Sequence, residues 1–314
     1  MVKRYGIGTI VAISATILIW STTFAGLVVA LKHFSPGHLL FVRWSLTALL
    51  FAGYGAATRM RLPRRADVPM FILAGLLGFG VYQTLLVFGQ QGVSASMAGF
   101  LINMNPVFTT LIAVALGRDS ANGFTWVGLA ACMGGLVLMG AARGGFGQIG
   151  PSAGLVVLAA LSFAGYTVIS KPLFSRYTPM EVTTYCVVAG TLPLLAFAPG
   201  SMAALTTASP AQLGTVAFLA IFPGGIAYLL WSRSVAAFPP GIASRFLYLV
   251  PVIGVPVAWL WVGEAPQALT VVGGFVTLAG VALATIKRAP WRARVVEPVL
   301  ADPLGVVALV PDAA

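Results

Sequence analysis

The chain has 314 residues, of which 59% are hydrophobic and 8% are charged, and its mean hydropathy is +0.97. A soluble domain carries about 25% charged residues. This composition excludes a soluble globular protein and predicts an all-α membrane protein that crosses the bilayer many times.

Long apolar segments follow one another along the whole chain. A membrane-spanning helix needs about 20 apolar residues, since a rise of about 1.5 Å per residue must cross about 30 Å of hydrocarbon. The candidate spans are 7–31, 36–57, 68–89, 95–116, 124–142, 152–171, 180–199, 211–232, 242–262 and 268–287. We therefore predict ten transmembrane helices.

The net charge of +11 is distributed unevenly between the loops. If the N-terminus is cytoplasmic, nearly all Lys and Arg residues outside the spans fall on the cytoplasmic side, and only Lys32 and Arg143 fall outside. An excess of Lys and Arg in the cytoplasmic loops is typical of membrane proteins. It predicts that both termini are cytoplasmic, and it favours a bacterial inner-membrane location over a nucleic-acid partner.

The two halves of the sequence resemble each other. An offset of 145 residues matches Ala98 with Ala243, Pro106 with Pro251, Gly128 with Gly273 and Gly135 with Gly280, and an offset of 143 matches Trp20 with Phe163. We predict two copies of a five-helix unit, at 1–145 and 146–288, followed by a disordered cytoplasmic tail at 289–314.

Five spans is an odd number, so the second copy must enter the membrane with the opposite orientation. Inverted repeats are the architecture of many alternating-access transporters, which bind substrate near the midplane between the halves. The repeat therefore predicts a central cavity shared by both copies.

Equivalent prolines interrupt the fourth and ninth spans. Pro106 frees the carbonyl of Ile102 and Pro251 frees that of Leu247, because proline has no amide hydrogen to donate. Such breaks are tolerated at membrane depth where they face protein or a water-filled cavity. We predict that both prolines are hinges beside the cavity.

Two asparagines lie beside the first of these prolines, in "FLINMNPVFTTL" (100–111). Asn103 matches Tyr248 at the 145-residue offset, and we expect both to line the cavity. The alternative for Asn103 and Asn105 is a structural role, in which their amides hydrogen-bond to neighbouring helices.

Four stretches carry a resemblance to a known family. They are "ILIWSTTFAG", "FVRWSLTALLF", "SMAGFLINMNPVFTTLIAVAL" and "VGEAPQALTVVGGFVTLAGVAL". The sequence resembles the drug/metabolite transporter superfamily in its ten-helix EamA-type form, and most of all its YddG-type members. The resemblance implies export of aromatic and other neutral amino acids from bacteria.

Aromatic and polar residues inside the spans are the candidate substrate contacts, because such pockets are mostly apolar with a few polar groups. The predicted substrate-binding residues are Trp20, Tyr82, Gln83, Asn103, Phe163, Tyr166, Tyr228, Arg245 and Tyr248. Core packing is the alternative for each. Arg43 is a further candidate for a functional residue, since placing an Arg inside the membrane costs free energy. The alternative is a structural role, in which it pairs with backbone carbonyls.

These observations favour an exporter of amino acids and similar small metabolites that uses alternating access. The sequence predicts no enzyme activity, no metal site and no cofactor, and a monomer is compatible with it. Exporters of nucleotides or cationic drugs and a passive channel remain alternatives. The acidic residues fall in loops, at helix ends or in the tail, so we expect facilitated transport with little proton coupling.

Overall fold

The computed structural model describes residues 6–93, 95–141, 150–262 and 267–284, and these residues form helices and loops without a β-strand. The helices are α1 (Ile7–Leu31), α2 (Pro36–Ala57), α3 (Val68–Gln90), α4 (Ala95–Ile102 and Asn105–Ala115), α5 (Gly123–Ala141), α6 (Pro151–Ser175), α7 (Pro179–Phe197), α8 (Pro210–Ala237), α9 (Pro240–Trp261) and α10 (Ala268–Ala284). A short helix, Ser201–Thr206, lies between α7 and α8. The predicted tail at 289–314 lies outside the described residues.

Seven of these helices are long and apolar enough to cross a membrane: α1, α2, α3, α6, α7, α8 and α9. The second part of α4, most of α5, and α10 are shorter apolar helices. The chain is therefore an all-helical, multi-pass membrane protein, as its composition predicts. The count of ten spans stays a prediction.

The loops after α2, α4, α6 and α8 meet at one end of the helices, which we call the basic end. Arg61 Nε lies 2.7 Å from Glu181 Oε1, and Arg176 Nη1 lies 2.7 Å from Asp67 Oδ1. The hydrogen bond to Glu181 raises the pKa of Arg61. The first pair joins the loop after α2 to the start of α7, and the second joins it to the loop after α6, so both link the first half of the chain to the second.

Two more cations hold the helices together near this end. Arg118 Nη1 donates to Val168 O at 2.8 Å. Lys171 Nζ donates to three carbonyls where α8 ends, those of Val235, Ala236 and Phe238, at 2.7, 2.7 and 3.0 Å. A cation is favourable there, because the last carbonyls of a helix carry partial negative charge.

The opposite end holds the loops after α1 and α7. His33 Nε2 lies 3.4 Å from Ala204 O, and His38 Nε2 lies 3.1 Å from Pro199 O. Described loops thus alternate between two ends of the helix assembly. This alternation is the connectivity that antiparallel neighbouring spans require.

Helices α5 and α10 pack through glycines that match in the sequence repeat. A Cβ added at Gly135 would lie 2.5 Å from Gly273 O, and one at Gly280 would lie 2.8 Å from Gly128 O. Cys132 Sγ also donates to Thr277 O at 3.6 Å, between residues 145 positions apart. Small residues allow this close backbone approach, which stabilises helix pairs in a membrane.

Two adjacent glycines of α5 test this packing. A Cβ at Gly135 would overlap Thr277 Oγ1, whereas one at Gly134 would meet nothing within 4 Å. Gly135→Ala should therefore lower the thermal unfolding midpoint of the detergent-purified protein, since overpacking costs about 1–3 kcal/mol. Gly134→Ala should leave the midpoint unchanged or raise it, since alanine is the better helix former. Equal midpoints for the two variants would contradict the close approach.

Candidate functional site

A central cavity lies among α1, α2, α3, α4, α6, α8 and α9. Its lining residues are Trp20, Thr23, Phe24, Arg43, Tyr82, Gln83, Leu86, Ile102, Asn103, Asn105, Phe163, Tyr228, Leu247 and Val250. Six of the nine predicted substrate-binding residues are thus brought together around one space: Trp20, Tyr82, Gln83, Asn103, Phe163 and Tyr228.

The cavity is narrow in this conformation. Its volume open to the centres of water molecules is about 60 Å³. One water needs at least about 10–15 Å³ on this measure, so the space is sized for a few water molecules. Side chains of the wall would have to move to admit a molecule of amino-acid size.

Aromatic rings form the wall on the side of α1, α6 and α8. The ring of Trp20 lies 5.7 Å from that of Phe163 and 5.2 Å from that of Tyr228, with both pairs edge to face. Tyr82 lies 4.9 Å from Phe163. Edge-to-face pairs are favoured because the positive ring edge meets the negative ring face. The wall is therefore an ordered aromatic surface.

Residues that match in the sequence repeat touch each other beside this cavity. Trp20 and Phe163, which match at an offset of 143, are in ring contact. Gln83 and Tyr228 are 145 positions apart, and Gln83 Nε2 donates to Tyr228 Oη at 3.0 Å. Equivalent residues of two copies meet only near the axis that relates the copies. The cavity therefore lies where the two copies of the repeat meet.

The helix interruptions also occur in equivalent pairs. Helix α4 breaks between Ile102 and Asn105, and α9 passes through a 3₁₀ turn at Phe246–Tyr248. Pro106 and Pro251 follow these interruptions within a few residues. Ile102 and Leu247, whose carbonyls the two prolines free, both line the cavity. The local breaks occur where we predict them, while the hinge role stays a prediction.

A second pair of interruptions consists of π-helical turns, Leu76–Val81 in α3 and Ala220–Ile226 in α8. The second contains Pro223, which cannot donate to the carbonyl of Leu219. Side chains across the interface satisfy such freed carbonyls: Arg43 Nε donates to Leu219 O at 3.2 Å, Thr47 Oγ1 to Ala220 O at 2.9 Å, and Trp20 Nε1 to Pro223 O at 3.1 Å.

Three predicted residues do not line the cavity, and their assignment as lining residues is corrected. Tyr166 packs behind the wall, with its ring 5.5 Å from that of Phe163. Tyr248 is fully buried in a separate apolar cluster. Arg245 is also fully buried, and its Nη1 donates to Ala284 O at 2.7 Å. Ala284 belongs to α10, so this hydrogen bond links α9 to α10.

The two asparagines of α4 have different roles. Asn105 Nδ2 donates to Ala160 O at 3.0 Å and so links α4 to α6, although the residue also reaches the cavity. This is the structural role considered as the alternative. Asn103 Nδ2 donates to Gly99 O within its own helix at 2.5 Å. Asn103 therefore lines the cavity while satisfying a carbonyl beside the break.

Arg43 is a cavity residue that the predicted set leaves out. It is 2% exposed and lies on α2 among apolar neighbours. Its Cζ atom lies 5.0 Å from the centre of the Trp44 ring. The sequence signal that could have placed it in the set is its depth within an apolar span.

Multiple apolar helices around a mostly apolar cavity with a few polar groups are typical of a membrane transporter. The chain belongs to the EamA-like transporter family, whose model matches twice, at residues 7–141 and 151–286. This finding confirms the resemblance to the drug/metabolite transporter superfamily.

Several named proteins are similar over most of their length. A probable terminal-alkyne amino-acid exporter of Streptantibioticus cattleyicolor is 34% identical over 87% of this chain and 91% of its own. The uncharacterised transporter YdfC of Bacillus subtilis is 28% identical over 87% and 90%. An S-adenosylmethionine/S-adenosylhomocysteine transporter of Chlamydia muridarum is 28% identical over 83% and 86%.

A solved crystal structure has the same fold. It is 20% identical, and it matches with a TM-score of 0.72 over 88% of this chain and 96% of its own. At this identity the likeness concerns the fold alone.

Cysteine labelling tests whether the cavity admits water. Thr23 lines the cavity, whereas Thr16, on the same helix, is fully buried outside it and donates to Ala12 O at 2.9 Å. Thr23→Cys should therefore react with a small water-soluble methanethiosulfonate reagent, and Thr16→Cys should not. The natural cysteines, Cys132 and Cys186, are buried and should give little background. Equal labelling of the two variants would contradict a water-filled cavity at Thr23.

Proposed function

We propose that this protein is an inner-membrane exporter of aromatic and other neutral amino acids and similar small metabolites. It works by alternating access between two inverted five-helix repeats, 1–145 and 146–288, that together form ten spans. The observation that carries the proposal is the aromatic cavity beside which matched residues of the two repeats touch each other. Transporters built from inverted repeats bind substrate at this place.

The proposed topology has the basic end in the cytoplasm. Arg59, Arg61, Arg64, Arg65, Arg118, Arg176 and Arg233 lie in or beside the loops of that end. Positive residues favour the cytoplasmic side of short loops. Because one chain supplies all the lining residues of the cavity, the proposal needs no second copy.

The cavity suits a neutral amino acid with a bulky side chain. Trp20, Phe163 and Tyr82 offer apolar surface for that side chain, and aromatic faces also attract a substrate ammonium group. Gln83 and Asn103 offer amide groups for hydrogen bonds. The 34%-identical relative is named as an amino-acid exporter, which supports the same substrate class here.

The interruptions in α4 and α9 are the proposed hinges. Pro106 and Pro251 prevent regular helix at equivalent points beside the cavity. A helix that already lacks a backbone hydrogen bond can change its bend there without breaking another. We therefore assign to these two interruptions the bending that opens the cavity first toward one side of the membrane and then toward the other.

A substrate panel tests the proposal. Purified protein in liposomes preloaded with unlabelled phenylalanine should accumulate labelled phenylalanine by counterflow, because a carrier exchanges bound substrates. Leucine and tryptophan should compete, while nucleosides, polyamines and cationic drugs should compete weakly. Competition mainly by nucleosides or cationic drugs would assign the alternative substrate class. Equilibration without counterflow would indicate a channel.

We propose little proton coupling, because the acidic residues that the structure describes lie toward the basic end. Asp67 and Glu181 are paired with Arg176 and Arg61, and Asp119 lies in the loop after α4. Glu264 lies outside the described residues.

An imposed pH gradient tests this proposal. With the membrane voltage clamped by potassium and valinomycin, labelled substrate should equilibrate without exceeding its external concentration. Accumulation above that concentration would show proton coupling, and Glu181→Gln would then identify whether this carboxylate carries the proton.

A further inference from the structure

We propose that Arg43 binds the carboxylate of the substrate, so that a carboxylate is the group the cavity requires, and molecules bearing only a cation are excluded. The inference rests on the proposed function and names the substrate group that this site recognises.

Arg43 brings a full positive charge to the cavity with few partners. Its Nε donates to Leu219 O at 3.2 Å, and its Cζ lies 5.0 Å from the ring of Trp44. Its Nη1 is buried and has no hydrogen-bond partner. A buried donor without a partner is costly, and more so on a charged group. The geometry therefore leaves a donor without a partner on a residue that lines the cavity.

The bond to Leu219 does not by itself require an arginine. Two carbonyls of the π-helical turn that follows Leu219 accept hydrogen bonds from neutral side chains. Thr47 Oγ1 donates to Ala220 O at 2.9 Å, and Trp20 Nε1 donates to Pro223 O at 3.1 Å. A neutral donor could serve Leu219 as well. The bond to Leu219 O uses neither the positive charge of Arg43 nor its Nη1 donor. The planar guanidinium, with its parallel N–H donors, matches the geometry of a carboxylate.

Other unpartnered atoms on this cavity suit the remaining part of a zwitterion. Thr23 Oγ1 and Gln83 Oε1 are buried without hydrogen-bond partners, and both residues line the same space as Arg43. Oxygen atoms accept hydrogen bonds from an ammonium group. Among the described residues no Asp or Glu lines the cavity, so a carboxylate brought by the substrate would balance the charge of Arg43.

Arg245 is a natural control because it differs from Arg43 in position rather than in burial. Both side chains are nearly inaccessible, at 0% and 2% exposed, and Arg245 also has buried nitrogens without partners, Nε and Nη2. However, Arg245 does not line the cavity, and it donates to Ala284 O of the neighbouring helix α10. Its removal should disturb packing without changing which substrate group is recognised.

The test measures competition against labelled phenylalanine in the counterflow assay. The competitors are phenylalanine, its amide, phenethylamine and 3-phenylpropionate. In the unaltered protein, the amide and phenethylamine should compete at least about tenfold more weakly than phenylalanine. This is the effect expected when one hydrogen bond between charged groups is lost. Arg43→Gln keeps a donor for Leu219 O and should lose this discrimination. Arg245→Gln should keep it even where its overall rate falls.

The outcomes separate the two proposals. If phenylalanine exchanges but its amide competes equally in the unaltered protein, Arg43 does not read a carboxylate, while the proposed function stands. Retained discrimination in Arg43→Gln leads to the same conclusion. Should Arg43→Gln fail to fold, the amide comparison in the unaltered protein still decides.

A binding measurement covers the case in which amino acids do not exchange. The rise in the thermal unfolding midpoint of the purified protein when 3-phenylpropionate is added then tests whether Arg43 binds a carboxylate. Stabilisation that Arg43→Gln abolishes supports the inference and overturns only the amino-acid assignment. If 3-phenylpropionate gives no stabilisation, both proposals are overturned.

Discussion

Satisfying backbone carbonyls away from water is the constraint on which the centre of this protein depends. In hydrocarbon every peptide group needs an internal partner, and regular helix is the simplest solution. Yet α3, α4, α8 and α9 are all interrupted beside the cavity. At the two π-helical turns, side chains from other helices reach backbone carbonyls. Ser162 Oγ donates to Leu77 O at 2.7 Å, and Arg43 Nε donates to Leu219 O at 3.2 Å.

The repeat explains why the interruptions surround one space. The two π-helical turns match at the 145-residue offset, as do the break in α4 and the 3₁₀ turn in α9. Where two copies of one unit pack against each other, residues at their junction touch their own counterparts. Gln83 and Tyr228 do so directly. A cavity with irregular backbone on opposing sides follows from duplicating one irregular unit.

Much of this architecture could be predicted from the sequence, because length and spacing carry it. Apolar runs indicate the spans, and Pro106 and Pro251 indicate where α4 and α9 are interrupted. The π-helical turn in α3 could not be predicted in the same way. Its sequence, "LLGFGV", contains no proline, so nothing local shows that the helix widens there.

The candidate site was harder to predict, because an apolar span gives little indication of which face meets the cavity. In a soluble helix, polar residues mark the outward face, but both faces of these helices are apolar. Trp20 and Phe163 match across the repeat and both line the cavity. Tyr248 matches Asn103 in the same way, yet it packs in a separate cluster, because an approximate symmetry does not preserve the direction of every side chain.

The two buried arginines show what decides between structure and recognition in such a protein. A membrane arginine needs a partner, and a backbone carbonyl can be that partner. Arg245 donates to Ala284 O of α10, whereas Arg43 donates to Leu219 O, a carbonyl freed in mid-helix by Pro223. Each guanidinium keeps at least one buried nitrogen without a partner, so an unsatisfied donor alone does not define a binding site. What differs is the space beside it: Arg245 is enclosed by packed helices, and Arg43 borders the cavity that the duplicated interruptions have opened. The same residue type thus links two packed helices in one half of the chain and borders the cavity in the other.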